Sequence, residues 1–278
     1  MNDDIASVVG QPMGLPNAIE VIRPSVVQIR IDPRNQVPGN AGYVIGTGFW
    51  VHATGFVLTA RHVTQSAQQI MASLPGSCLS IGLAIPNLTG PVTIRSSFEL
   101  IEVDLAEEDS RHDIALLRAR TNPFLGNRPS GVHRTGDQFA VNALYGLPTL
   151  SDSSVVDGEF IAVSGYPLSL PALVTTSGGI ASAFLLDVQN KQIPGGPDGF
   201  MMSDFADSYL ADIAVNPGNS GGPVYRVRDG SVIGVCVAFH VAESNHGTES
   251  SPFFYNSGLS VIVPIKYGLE LLSRHLGE

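Results

Sequence analysis

The chain has 278 residues, of which 44% are hydrophobic and only 14% charged; that is a globular composition and excludes a disordered polymer. Acidic residues outnumber basic ones 25 to 15, for a formal net charge of −10, and no Lys/Arg cluster interrupts it, which argues against nucleic acid and anionic membrane surfaces as partners. Glycine at 30 and proline at 19 point to short strands joined by turns, in a chain long enough for one large domain or two small packed ones.

The start, Met1-Asn2-Asp3-Asp4-Ile5, is acidic and lacks the basic and apolar regions of a secretory signal, so the expected location is cytoplasmic. Residues 1–17 read as a polar arm, and from Ala18 onward the chain reads as strands. Candidates are 26–31, 43–51 and 55–59, then a short helix over 63–72, then strands over 81–85, 93–98, 99–104 and 114–118. Residues 121–136 carry two Pro and three Gly and read as a linker, dividing a first β-barrel (18–130) from a second (131–278). The second half offers strands at 160–164, 173–184, 212–215, 222–228, 231–239 and 259–263, and a loop at 191–199. Residues 264–276 have helical spacing, with Ile265, Leu269 and Leu272 on one face and Pro264 at the start. The uncharged run 160–186 contains Pro167, Pro171, Gly165, Gly178 and Gly179, too broken for a membrane helix. The expected fold is all-β, two packed six-stranded antiparallel barrels with a short C-terminal helix.

Cys78 and Cys236 read as buried free thiols. Without a CxxC or HExxH pattern there is no zinc signature, and no metal or cofactor is expected.

Gly218-Asn219-Ser220-Gly221-Gly222 is by itself ambiguous. Its residues suit a tight surface turn, and it also matches the G-x-S-x-G elbow of α/β-hydrolases. The hydrolase reading fails on chain order, because its acid and histidine must follow the serine and a helix must follow at once. Here Gly221-Gly222-Pro223-Val224-Tyr225 turns into a strand. Upstream, the apolar run Gly55-Phe56-Val57-Leu58-Thr59-Ala60 leads to Arg61-His62, where a strand end can hold an imidazole at a cleft. Asp113 is followed by Ile114, Ala115, Leu116 and Leu117, so its carboxylate sits at the edge of a buried strand and needs a partner, which His62 can be. His112 is expected to face away, because neighbours on a strand point to opposite faces. The order His62, Asp113, Ser220 is that of one serine-protease class.

Together these segments resemble the chymotrypsin/trypsin-like serine protease superfamily, and most closely the HtrA/DegP-type protease domain. The likeness rests on Thr59-Ala60-Arg61-His62, Asp113-Ile114-Ala115-Leu116-Leu117 and the stretch from Asp212 to Pro223. It extends to Ser164-Gly165-Tyr166-Pro167-Leu168, the stretch Val174 to Ala183, and Val261-Ile262-Val263-Pro264 before a helix. The chain ends just past that helix, so a domain without a PDZ module is expected. The resemblance implies a serine endopeptidase acting on proteins or peptides through an acyl-enzyme, with Ser220 as nucleophile, His62 as general base and acid, and Asp113 orienting His62. It further implies an oxyanion hole from the backbone N–H groups of Gly218 and Ser220. Val237 stands where relatives often carry Ser or Thr near the aspartate. Asn219 replaces the Asp that pairs with a cut N-terminus in pancreatic relatives, so that activation is not expected and an activating partner protein becomes a possible alternative. Ala214 at the pocket base, with Val237 and Leu259 as walls, implies small or medium apolar P1 residues.

Overall fold

The computed structural model of the chain describes residues 12–34, 42–85, 97–125, 132–135, 138–141, 145–188, 205–248 and 251–277. The expected loop at 191–199 and the expected boundary between residues 130 and 131 lie outside them.

The first closed barrel runs in the order β1-β2-β3-β6-β5-β4. Its strands are β1 (Val26–Pro33), β2 (Tyr43–His52), β3 (Phe56–Ala60), β4 (Ser77–Ile85), β5 (Ser97–Asp109) and β6 (Ile114–Ala119). All its pairings are antiparallel. Every residue of β3 is buried, and so are the first four of β6, because the two strands pair in the wall of the barrel and α2 (Arg61–Ser73) packs against both. A short hairpin of β7 (Val132–Thr135) and β8 (Gln138–Val141) follows.

The second closed barrel has the order β10-β11-β14-β13-β12-β9. It comprises β9 (Phe160–Gly165), β10 (Val174–Val188), β11 (Phe205–Asp212), β12 (Pro223–Arg226), β13 (Val232–Thr248) and β14 (Ser251–Pro264). Its core gathers Ile161, Val163, Ile180, Ile213, Val224 and Ile262. A larger cluster unites the first barrel with the facing side of the second, including Leu58, Tyr166, Tyr225, Val237 and Val263. The chain ends in α3 (Ile265–Leu276), whose Ile265, Leu271 and Leu272 are buried. Leu269, expected on the buried stripe, is only partly covered. Gly268 allows the close approach of α3 to the first barrel: a Cβ there would collide with the Leu58 side chain.

Several elements differ from the sequence expectation, among them β7, which falls within the expected linker 121–136. The end of the expected arm and the start of the region read as strands form α1 (Leu15–Ile22), with Ala18 and Ile22 buried. The expected pair 93–98 and 99–104 is, over its described part, the single strand β5. Of the expected strand 212–215, only Asp212 lies in a strand, as the last residue of β11, and 213–215 lie outside any strand.

Cys78 and Cys236 are free and buried, one on β4 and one on β13. Burial pushes the Cys236 thiol up to about 12, which removes the nucleophilic thiolate at neutral pH. Iodoacetamide at neutral pH is expected to spare Cys236 in the native protein and to label it after unfolding in guanidinium. Fast native labelling at Cys236, mapped by mass spectrometry, would contradict this packing.

Candidate active site

The turn between β5 and β6 places Asp113 at φ +54, a left-handed conformation that is rare for a residue with a Cβ. The Arg61 N–H donates to the Asp113 carbonyl at 2.8 Å, and the side chain is buried. Asp113 Oδ1 accepts the backbone N–H of His62 at 2.9 Å, and Oδ2 lies 2.6 Å from His62 Nδ1. That backbone N–H belongs to the first turn of α2, where helix donors lack intrahelical acceptors. Ala60 at the cap position supplies no side-chain oxygen, so Asp113 caps the helix from another strand. A carboxylate accepts only, so Nδ1 carries the proton and the neutral ring keeps its lone pair on Nε2. His62 therefore lies in the first turn of a helix, one step beyond the strand end expected from sequence.

Ser220 sits in the loop between β11 and β12. Asn219 N–H donates to Asn216 O at 3.0 Å, Gly221 N–H to Cys236 O at 2.7 Å and Cys236 N–H to Gly222 O at 2.9 Å, which docks the loop on β13. Across the barrel interface, Thr47 N–H on β2 donates to Ser220 O at 2.9 Å. Gly46 shows how closely the segments approach: a Cβ there would lie 2.7 Å from Val63, the neighbour of His62, and 3.2 Å from Ser220 O. The Ser220 hydroxyl donates a long 3.4 Å bond to Val237 O. Among the described residues it makes no hydrogen bond to the His62 ring, a looseness common before substrate arrives.

Gly218 has φ +101, and a Cβ on it would lie 2.5 Å from Tyr166 O, so only glycine fits. The preceding carbonyl, Pro217 O, accepts Leu168 N–H at 2.8 Å. In a trans peptide the N–H points opposite to the C=O, so Gly218 N–H is turned away from Leu168. Among the described residues neither Gly218 N–H nor Ser220 N–H has a protein acceptor, which leaves both available to an oxygen. Leu168 and Ser169 themselves hold φ +54 and +56, two successive strained residues beside the loop.

Thr47 was not singled out from sequence. Its hydroxyl donates to Gly218 O at 2.6 Å and accepts Tyr166 N–H at 2.9 Å, so one first-barrel side chain fixes both the nucleophile loop and the segment beneath it. These contacts depend on how the two barrels dock, which no local pattern encodes.

Ala214, Val237 and Leu259 lie on three neighbouring segments. Ala214 is exposed between Ile213 and Val215, whose carbonyls accept the Ser260 hydroxyl and the Asn256 amide. Leu259 faces Asp212 across the sheet and is half-buried, while Val237 is buried beside Ser220. Val237 supplies Asp113 no side-chain donor. His112 takes no part: its Nδ1 lies 2.6 Å from Asp109 Oδ2 and its ring stacks on Tyr267 at 3.5 Å. Among the described residues no three His, Cys, Asp or Glu side chains are grouped to hold a metal.

The family model described as a trypsin-like peptidase domain matches residues 46–235. A probable periplasmic serine endoprotease, DegP-like, of Ectopseudomonas mendocina is 28% identical, with 95% of this chain and 43% of that protein covered. The mitochondrial serine protease HTRA2 of Bos taurus is also 28% identical, over 83% of this chain and 41% of its own. The chain thus spans less than half the length of these relatives. Among solved structures, the HtrA-type protease AlgW with a decapeptide superposes with a TM-score of 0.58 at 17% identity, covering 94% of this chain and 67% of that one. The MamO protease domain of Magnetospirillum magneticum gives 0.55 at 16% identity, with 90% and 96% covered; both show the fold. The cytoplasmic expectation is corrected by these matches, since several of the relatives are named as periplasmic enzymes.

Thr47→Val removes a donor to Gly218 O and an acceptor for Tyr166 N–H, leaving two groups unpaired at about 1–3 kcal/mol each. The rate at which a fluorophosphonate labels Ser220 is expected to fall roughly 10- to 100-fold, and Thr47→Ser to restore most of it. An unchanged rate in Thr47→Val would remove Thr47 from the support of the loop.

Proposed function

The chain belongs to the trypsin-like peptidase domain family, and on that footing we propose that it is a serine endopeptidase of the HtrA/DegP type. The observation that carries the proposal is the double grip of Asp113 on His62, through the backbone N–H and through Nδ1. That grip leaves Nε2 as the free basic nitrogen of the neutral ring.

The chemistry follows the general triad scheme. His62 Nε2 takes the Ser220 proton as Oγ attacks the scissile carbonyl. The carbonyl oxygen gains charge and is met by Gly218 N–H and Ser220 N–H. His62 then gives its proton to the leaving amine, and the acyl-Ser220 ester is hydrolysed by a water that His62 activates in turn. Asp113 holds the ring in the required tautomer and balances the imidazolium charge. The substrate has a natural seat. The β12–β13 pairing ends at Val235, and an extended peptide is proposed to lie along β13 beyond it by strand addition. AlgW, one of the similar structures, is described with a decapeptide, in keeping with peptide or protein substrates.

Ala214 brings no charge to the pocket base, so we propose small or medium apolar P1 residues. A second reading, an enzyme that a partner protein completes, draws on the Ser220 hydroxyl being turned to Val237 O.

A fluorophosphonate probe is expected to label the wild type and not Ser220→Ala; equal labelling of both would exclude Ser220 as nucleophile. Labelling only after a partner or peptide is added would favour the second reading. Asp113→Asn keeps the shape but reverses the tautomer, and kcat/KM on a peptide substrate is expected to drop about 10⁴-fold. A loss under tenfold would remove Asp113 from the catalytic assignment. A peptide-library profile led by Lys or Arg at P1, in place of Val, Ala or Leu, would overturn the pocket assignment.

A further inference from the structure

His112 takes no part in the proton transfers proposed for His62 and Ser220, yet it is the residue from which the chain enters the strained conformation of Asp113. Asp109 pairs with Ile114 across the ends of β5 and β6, so the turn between them is Ser110, Arg111, His112 and Asp113. Asp113 stands in it at φ +54, a conformation that a residue with a Cβ keeps only when its surroundings impose it.

Much of that constraint comes from Asp109. Its Oδ1 accepts Arg111 N–H at 2.9 Å and His112 N–H at 3.2 Å, and its Oδ2 lies 2.6 Å from His112 Nδ1. Burial pushes the Asp109 carboxyl up, but the hydrogen bonds from His112 and Arg111 outweigh it and hold the group below the usual carboxylate range. A charged carboxylate only accepts, so Nδ1 is the donor and the bond is charge-assisted. The pattern matches the hold of Asp113 on His62, with one oxygen on the backbone N–H and the other on Nδ1 of the same residue. Two Asp–His units therefore stand in series. The first fixes the turn from which the second reaches the His62 ring.

The His112 ring is also seated against the later part of the chain. It is buried and stacks on Tyr267 of α3, with centroids 3.5 Å apart and planes 11° apart. Its Nε2 lies 3.6 Å from Asp207 Oδ2 on β11, and Asp207 also receives the Tyr267 hydroxyl and, at 3.3 Å, Arg111 Nη2. The turn that carries Asp113 is thus held from β11 and α3, as the Ser220 loop is held from β2.

We propose that His112 is a positioning residue: gripped by Asp109 and stacked on Tyr267, it holds the β5–β6 turn so that the Asp113 carboxylate meets His62. The assignment rests on the proteolytic reading, since it acts on the reaction through Asp113 and His62.

The test uses two readouts on the full chain: kinetics on a fluorogenic peptide with Val at P1, and the low-field proton NMR signal of His62 Nδ1–H, assigned by its loss in a His62 variant. His112→Phe keeps a ring on Tyr267 and removes the bond to Asp109, whereas His112→Asn puts an amide N–H where Nδ1 stood. In His112→Phe, kcat is expected to fall roughly 10- to 100-fold with KM within about twofold, and the His62 signal to shift or broaden. His112→Asn is expected to recover most of both. Asp109→Ala is expected to match His112→Phe, and the double variant to lose no more than either single one. A drop in melting temperature with kcat and the His62 signal unchanged would reduce His112 to a structural residue and overturn the assignment. Equal losses in His112→Phe and His112→Asn, or a loss confined to KM, would overturn it as well. A wild type that neither cleaves nor takes a fluorophosphonate, with a His62 signal that still moves in His112→Phe, would overturn the proteolytic reading and leave the positioning role standing.

Discussion

The site depends on one buried carboxylate. Asp113 closes the β5–β6 turn in a strained conformation and spends both oxygens on a single residue, His62. One oxygen caps a helix that has no cap of its own and so fixes where α2 begins. The other sets the tautomer and orientation of the ring. Burial makes the pair consequential, because a carboxylate removed from water must be matched by donors, and here the donors named are the ring and backbone of the residue it has to orient. The same bonds that start the helix therefore orient the ring that we propose as the base.

The Ser220 loop belongs to the second barrel but is held from the first. Thr47 bonds Ser220 O through its amide and Gly218 O through its hydroxyl, while β13 holds Gly221 and Gly222 from beneath. In the proposed mechanism, docking of the barrels is thus part of the chemistry. Of the four non-glycine residues at positive φ among the described residues, Asp113, Leu168 and Ser169 adjoin His62 or the Ser220 loop. Strain is tolerated where the surroundings over-determine the backbone, and Asp113 and Leu168 are held by hydrogen bonds to Arg61, His62 and Pro217.

Much of the barrel architecture was legible because alternating β-branched and aromatic residues have a period that only strands use. The failures have physical causes. In α1, Ile19, Val21 and Ile22 look like a strand, and the helix is settled by burial of Ala18 and Ile22 against the barrels. Strand β11, Phe-Ala-Asp-Ser-Tyr-Leu-Ala-Asp, lacks a clear alternation. Asp212-Ile213-Ala214-Val215 has strand chemistry, yet the carbonyls of Ile213 and Val215 are taken by the side chains of Ser260 and Asn256 instead of a ladder. His62, Asp113 and Ser220 could be singled out because each lies in a distinctive local segment. Thr47 could not, since its contacts with Gly218 and Tyr166 arise from barrel docking.

The central claim is that Asp113 dictates the protonation pattern of His62. Nitrogen-15 NMR of histidine-labelled protein reads it directly, with the His62 signals assigned by their loss in a His62 variant. The account predicts that neutral His62 carries its proton on Nδ1 in the wild type and that Asp113→Asn moves it to Nε2. A wild-type ring protonated on Nε2, or a tautomer indifferent to Asp113→Asn, would contradict it.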